Sequence, residues 1–91
     1  MNVRNNTAKS RYELVENEQV IGLADYHVEG DTVVFPHTVI SNGRRGGGLG
    51  AKLVSGALDD VRSSGRRVVA QCWYVAQFID EHPEYQDLLA A

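Results

Sequence analysis

The residues best suited to chemistry in this chain lie in a glycine-rich stretch, residues 43–50, with the sequence GRRGGGLG. It follows an extended apolar segment, residues 32–40, and precedes an amphipathic helix that we expect to begin at Gly48 or Leu49. Glycines let the backbone approach an anion closely, and the unpaired N–H groups of a first helical turn point at that anion. Arg44 and Arg45 add positive charge beside it. A strand, a glycine loop and a helix N-terminus in this order predict a phosphate-binding site.

Two common phosphate-binding patterns do not fit this loop. A Walker A loop requires Gly-Lys followed by Ser or Thr, whereas Lys52 follows an alanine and precedes Leu53. A dinucleotide fingerprint requires an acidic residue at the end of the next strand, where this chain has Gln71 and Cys72, and a fold larger than 91 residues.

A third pattern, Arg/Gln-x-x-Gly-x-Gly/Ala, is satisfied by Arg45, Gly48 and Gly50. With this pattern the loop resembles the acyl-CoA pyrophosphate loop of the GNAT acetyltransferase superfamily. The flanking sequences FPHTV before the loop, and CWYV and FIDEHPEY beyond the helix, are similar to those of the short, single-domain GNAT-like subfamily. The likeness covers roughly residues 11–89. In such proteins the residue after the cysteine is often proline, whereas here it is Trp73, which puts the shape of the pocket floor in question.

The resemblance implies that the chain binds acetyl-CoA. Arg45 occupies the motif position, and Arg44 is the weaker candidate for the pyrophosphate. The implied cofactor-binding residues are Arg44, Arg45, Gly46, Gly47, Gly48, Leu49 and Gly50 in the loop, with Thr38 and Val39 on the preceding strand.

The resemblance also implies a pair of catalytic candidates, His37 and Cys72. A thiolate at Cys72 could accept an acyl group, whereas most lone cysteines are small buried hydrophobes. His37 could act as general base for an incoming amine, could deprotonate Cys72, or could be a histidine hydrogen-bonded within the sheet. We expect structural roles for His27 and His82.

Composition narrows the classes of protein to be considered. A net charge of −3 argues against general nucleic-acid binding, and the single cysteine excludes an internal disulfide and a zinc site built from cysteines. We expect no metal, no membrane span and no secretory signal, hence a cytoplasmic protein. Acidic residues dominate positions 12–43, which suits either solvated turns or a cationic partner.

The pattern of apolar residues predicts a minimal α+β domain with about four mainly antiparallel strands in the order β-β-β-α-β-α. We expect residues 1–9 to be disordered and residues 10–91 to form one domain. Strands are predicted at 11–15, 20–28, 32–40 and 66–73, with helices at 49–63, ended by Gly65, and at 74–82. Pro36 within the third strand predicts a bulge or an unpaired edge, and the GNAT resemblance implies that this strand splays from its parallel neighbour to admit pantetheine.

The aromatic residues near the C-terminus are predicted to pack the second helix against the sheet. They are Trp73, Tyr74, Phe78 and Tyr85.

The resemblance to the GNAT superfamily implies an acetyl-CoA-dependent N-acetyltransferase that acts on an amine, either a small molecule or a protein. The alternatives are a CoA or acyl-CoA-binding module without turnover, and an interaction domain whose glycine loop binds nothing.

The loop hypothesis predicts that Arg45→Ala weakens acetyl-CoA binding by about 1.5–3 kcal/mol, the contribution of a charge-assisted hydrogen bond. Titration calorimetry measures the change. Arg44→Ala is the matched control and should have the smaller effect, and equal effects would remove the motif assignment.

Overall fold

A five-stranded sheet in the order β1-β2-β3-β4-β5 is the framework of the computed structural model, which describes residues 1–41 and 48–90. The first four strands are antiparallel, and β5 runs parallel to β4. The elements are β1 (Asn2–Asn6), β2 (Arg11–Glu16), β3 (Gln19–Glu29), β4 (Thr32–Ile40), α1 (Leu49–Ser63), β5 (Arg67–Ala70), α2 (Trp73–Glu81) and a 3₁₀ helix (Pro83–Leu88). The predicted α+β class and element order are confirmed, with one more strand at the N-terminus.

Helix α1 buries the apolar stripe that its sequence spacing predicts. Gly65 ends the helix in the left-handed conformation, with φ of 74°. Its N–H donates to the carbonyl of Arg62, and the N–H of Arg66 donates to the carbonyl of Val61. These two bonds are the Schellman arrangement, which fixes the helix end at the predicted place. The buried residues of α1 are Leu53, Val54, Ala57, Leu58 and Val61.

The prediction that residues 1–9 are disordered is wrong for Asn2–Asn6, which pair antiparallel with β2. This strand is polar because it partners the carboxylate of Glu13, which is only 1% exposed. Glu13 accepts hydrogen bonds from Nε of Arg4 at 2.8 Å, Nε of Arg11 at 2.7 Å and Nδ2 of Asn6 at 3.2 Å. Burial raises the pKa of Glu13, but these hydrogen bonds outweigh it and bring the pKa down to about 2. A buried carboxylate needs such donors, so β1 belongs to the fold without carrying an apolar pattern.

Strand β1 also packs directly on helix α1. A methyl group placed on Gly56 would come within 2.7 Å of the side chain of Val3. Glycine inside a helix costs about 1 kcal/mol relative to alanine. The close approach of Val3 accounts for a glycine at this helical position.

We therefore expect Gly56→Ala to destabilise the protein by about 1–3 kcal/mol, because the added methyl overpacks the contact with Val3. In a Val3→Gly background the same change should stabilise the protein by up to about 1 kcal/mol, since only helix propensity then remains. Urea unfolding of the four proteins measures both effects. A Gly56→Ala change that is stabilising in both backgrounds would show that β1 does not press on this glycine.

The Glu13 cluster predicts an acid-dependent contribution to stability. Because the pKa of Glu13 falls from 4.5 in the unfolded chain to about 2 on folding, its stabilisation is fully present above pH 4.5 and is lost as the pH falls toward 2. Glu13→Gln should lower the free energy of unfolding by on the order of 1–3 kcal/mol at pH 7, and by progressively less below pH 4.5. Glu18→Gln, at an exposed turn, is the control, and a Glu13→Gln deficit that stays constant with pH would contradict the assignment.

Candidate functional site

The two parallel strands part half-way along β4 and leave a cleft between them. Their pairing runs from Thr32–Arg67 to Phe35–Ala70 and stops there. A last bond joins the N–H of Cys72 to the carbonyl of Phe35 at 2.8 Å. The predicted bulge lies at this point, because Phe35 and Pro36 together face the single residue Tyr26 across the ladder to β3. Proline has no N–H to donate to a ladder and is tolerated at a bulge, and the bend that the bulge introduces in β4 ends the pairing with β5.

Beyond the bulge, β4 presents unpaired backbone groups to the cleft. The N–H of Ser41 donates to the carbonyl of Ile21 on β3 at 2.8 Å, which fixes the phase of the antiparallel pairing. Because bonded and non-bonded pairs alternate, the N–H and C=O groups of Thr38 and Ile40 point away from β3 and toward the cleft. The backbone of Val39 pairs with β3 instead, although Val39 also borders the cleft.

The cleft has a volume of about 450 Å³. One wall is the second half of β4, from Thr38 to Ile40, and the other is the start of α2. Gly50, in the first turn of α1, lies at its edge. The lining residues are Thr38, Val39, Ile40, Gly50, Cys72, Trp73 and Tyr74. Four of the residues predicted from the sequence thus meet in one depression: Thr38, Val39, Gly50 and Cys72.

A larger depression of about 610 Å³ lies on the far side of β5, against α2 and the C-terminal residues. It contains no predicted site residue, and Asp80 is the single titratable side chain among its described lining residues. We therefore place the site in the cleft, where free backbone groups and the N-terminus of α1 converge.

Helix α1 begins beside the cleft without a side-chain cap. Gly48 precedes it in the left-handed conformation, with φ of 74°, and its carbonyl accepts the first helical bond from Lys52 at 2.9 Å. The N–H groups of the first turn have no partner within the helix, so they can bind an anion there. Arg44, Arg45, Gly46 and Gly47 lie outside the described residues, and their predicted role stays a prediction.

The glycine at position 50 has a structural explanation that the loop motif does not reveal. A Cβ atom at this position would come within 2.5 Å of the hydroxyl oxygen of Tyr74 and 2.8 Å of the carbon that bears it. The Tyr74 ring therefore occupies the space beside the first turn of α1 that the side chain of any residue other than glycine would need. Sequence reasoning missed Tyr74 as a site residue, because no local pattern links positions 50 and 74.

Cys72 lines the cleft on the side that faces the hydrophobic core. It is 8% exposed and stands at the N-terminus of α2. Its thiol donates a hydrogen bond to Oγ1 of Thr38, with sulfur and oxygen 3.6 Å apart. This contact joins the two walls of the cleft near the point where the strands part.

The structure does not bring His37 to Cys72. Successive side chains of a strand point to opposite faces, and the neighbouring Thr38 is the residue whose side chain meets the thiol. His37 is exposed on the outer face, the face of the sheet away from α1, beside its cross-strand partner Asp25. The hypothesis that His37 deprotonates Cys72 therefore lacks the contact it requires, whereas a role as base toward a molecule on the outer face stays open.

The other histidines have the structural environments that we predicted for them. Nδ1 of His82 donates to the carbonyl of Phe78 at 2.6 Å, and the two rings stack with centroids 3.9 Å apart. His27 pairs with the exposed carboxylate of Glu29. Within residues 1–41 and 48–90, no cluster of His, Cys, Asp and Glu is arranged to hold a metal ion, and no helix is long and apolar enough to cross a membrane.

Comparison with known proteins gives three consistent similarities. The family model of the GCN5-related N-acetyl-transferases matches residues 11–88. Protein NATD1 of Bos taurus is 34% identical over 59 residues, which cover 64% of this chain and 52% of that protein, so the chain spans about half the length of this curated relative. The fold is similar to the NMR solution structure of a GCN5-like candidate N-acetyltransferase from Staphylococcus aureus, with a TM-score of 0.73 over 98% of this chain and 87% of that one. At 18% identity this last likeness supports the fold alone.

Proposed function

The chain belongs to the GCN5-related N-acetyltransferase family, and on that premise we propose that it binds acetyl-CoA in the cleft and transfers the acetyl group to an amine. The observation that carries the proposal is the parting of β4 from β5 beside an uncapped helix N-terminus. It provides a channel with free backbone hydrogen-bonding groups and, at one end, N–H groups suited to a phosphate.

The residues of the cleft fit the chemical parts of this cofactor. Backbone groups of Thr38 and Ile40 are available to the amides of the pantetheine arm, as an added strand would use them. The N–H groups of residues 49–51 would hold the pyrophosphate, with Arg45 as the charged partner that the sequence motif predicts. When bound, acetyl-CoA supplies an activated acetyl thioester.

Each face of the sheet has its own part in this proposal. Cys72 and Thr38 line the cleft, where their hydrogen bond holds the walls together. His37, on the outer face and one residue from Thr38, would accept a proton from an amine that approaches from that face. In this arrangement the transfer is direct, and the buried thiol of Cys72 is a structural group.

The binding part of the proposal is tested by adding acetyl-CoA to isotopically labelled protein. We expect the amide signals of Thr38, Ile40 and residues 49–51 to shift, while those of the distant strand β1 stay in place. Arg45→Ala is a cleaner probe than any substitution of Gly48, because a side chain at Gly48 would strain its left-handed backbone whether or not ligand binds. Unmoved cleft amides at millimolar acetyl-CoA would remove the proposal while leaving the fold intact.

The catalytic part is tested with variants of His37 and Cys72. His37→Ala should lower acetyl transfer to amines by roughly 10²–10⁴-fold, the usual contribution of a general base, without weakening acetyl-CoA binding. His27→Ala is the matched control, since it removes another exposed histidine, from the neighbouring strand β3.

Cys72→Ala should keep transfer activity, and intact wild-type protein incubated with acetyl-CoA should not gain the mass of an acetyl group. An acetylated Cys72 would contradict direct transfer. Binding without transfer to any amine, protein N-termini and lysines included, would indicate a module that binds CoA without turnover.

A further inference from the structure

Trp73 does not pack the second helix against the sheet, as its aromatic character predicted. It is the first residue of α2 and is 72% exposed. Its indole makes an edge contact with the ring of Tyr74, with centroids 5.7 Å apart and planes at 84°. This contact and the rigid helix orient the indole but leave most of its surface to solvent. An indole held in place and left uncovered is a ready stacking surface.

Trp73 and Tyr74 form a ridge between the cleft and a second depression. This groove, of about 230 Å³, lies between α1 and α2 and is bordered by Ala51. Phe78 and His82, stacked on one another, lie along it. The groove therefore has aromatic walls and opens to solvent beside the first turn of α1.

The residues along the groove form one stripe of α2. Trp73, Gln77 and Glu81 follow one another at intervals of four residues, so they lie on the same helical face, and all three are exposed. The stripe offers in order an aromatic plane, an amide and a carboxylate. An amide side chain can donate and accept at once, and a carboxylate accepts from an amino group. Adenine presents a flat ring, an exocyclic amino donor and ring nitrogen acceptors, which is the complementary set.

The position of the groove relative to the cleft suits the same ligand. Gly50 borders the cleft and Ala51 borders the groove, so both depressions meet at the N-terminus of α1. If the pantetheine arm lies in the cleft and the pyrophosphate lies on this helix terminus, the adenosine end leaves on the side of the groove.

We propose that the groove between α1 and α2 binds the adenine of CoA, stacked on Trp73, with its amino edge toward Gln77 and Glu81. This inference rests on the proposed function and adds to it a subsite in which Trp73, the residue that departs from the sequence pattern of similar proteins, is the stacking platform.

The test compares two ligands that differ by the adenosine portion, acetyl-CoA and S-acetyl-4′-phosphopantetheine, by calorimetry. Because Trp73 borders the cleft as well as the groove, the two ligands are compared by their ratio: Trp73→Ala should weaken binding of acetyl-CoA by roughly 5- to 150-fold more than binding of the shorter ligand, the value of one base stacked on an aromatic ring. Trp73→Phe should recover part of the loss. Because Trp73 is the single tryptophan of the chain, its fluorescence gives a second readout: acetyl-CoA should quench it more strongly than the shorter ligand does.

The amide and the carboxylate are tested with the 1,N⁶-etheno derivative of acetyl-CoA, in which the amino edge of the base is blocked. Wild-type protein should prefer unmodified acetyl-CoA, and the double variant Gln77→Ala/Glu81→Ala should lose this preference. Asp80→Ala is the control, since Asp80 is also an exposed acid of α2 but lines the depression on the other side. It removes the same charge and should keep the preference.

Two results would overturn the proposal in different ways. Equal weakening of both ligands by Trp73→Ala would place the indole on the pantetheine arm, and unchanged affinity for both would leave the groove empty of ligand. In either case wild-type binding of acetyl-CoA would still support the proposed function. Absence of acetyl-CoA binding to the wild-type protein would instead remove the function and the subsite together.

Discussion

The parting of β4 from β5 is the constraint on which the rest of the site depends. A parallel pair normally continues as long as both strands offer N–H and C=O groups in register. Here the bulge at Phe35 and Pro36 bends β4 away from β5, so pairing stops at Phe35–Ala70. The backbone groups of Thr38 and Ile40 that β5 would have paired are left to the cleft. They can be satisfied by water or by a ligand that behaves as a strand.

Helix α1 completes the cleft, and its two interior glycines are explained by contacts with distant parts of the chain. At Gly50 the Tyr74 ring occupies the place of a side chain, and at Gly56 Val3 does so. Each glycine lowers helix propensity by about 1 kcal/mol relative to alanine. Gly50 lets Tyr74, in the wall of the cleft, pack against the helix N-terminus, and Gly56 lets the edge strand β1 pack against the helix through Val3. The two glycines therefore lower the intrinsic stability of the helix but allow close packing against Tyr74 and Val3.

The two faces of the sheet have different characters. The face under α1 carries the apolar core and the cleft, where the thiol of Cys72 meets Thr38. The outer face carries polar and charged groups, among them His37 and the buried carboxylate of Glu13 with its three donors. Under the proposed function, this division gives the acyl donor one face and the amine the other, with the reaction at the gap between the strands.

The sequence by itself determined the elements that have a local pattern of residues typical of their structure. Periodicity and a left-handed glycine act over a few residues, and they predicted helix α1, its end at Gly65 and the meander. Pro36 predicted a bulge or an unpaired edge, and the family was implied by the resemblance of the glycine loop and its flanking sequences. Tertiary structure alone decided the rest. Strand β1 has no apolar alternation. It is held by hydrogen bonds to Glu13 and by the packing of Val3 against Gly56. The bulge in β4 determines which of its later side chains face the cleft, so that Thr38 meets Cys72 and His37 lies on the outer face. Tyr74 reaches Gly50, and Trp73 stays exposed, because packing between distant segments leaves no local pattern in the sequence.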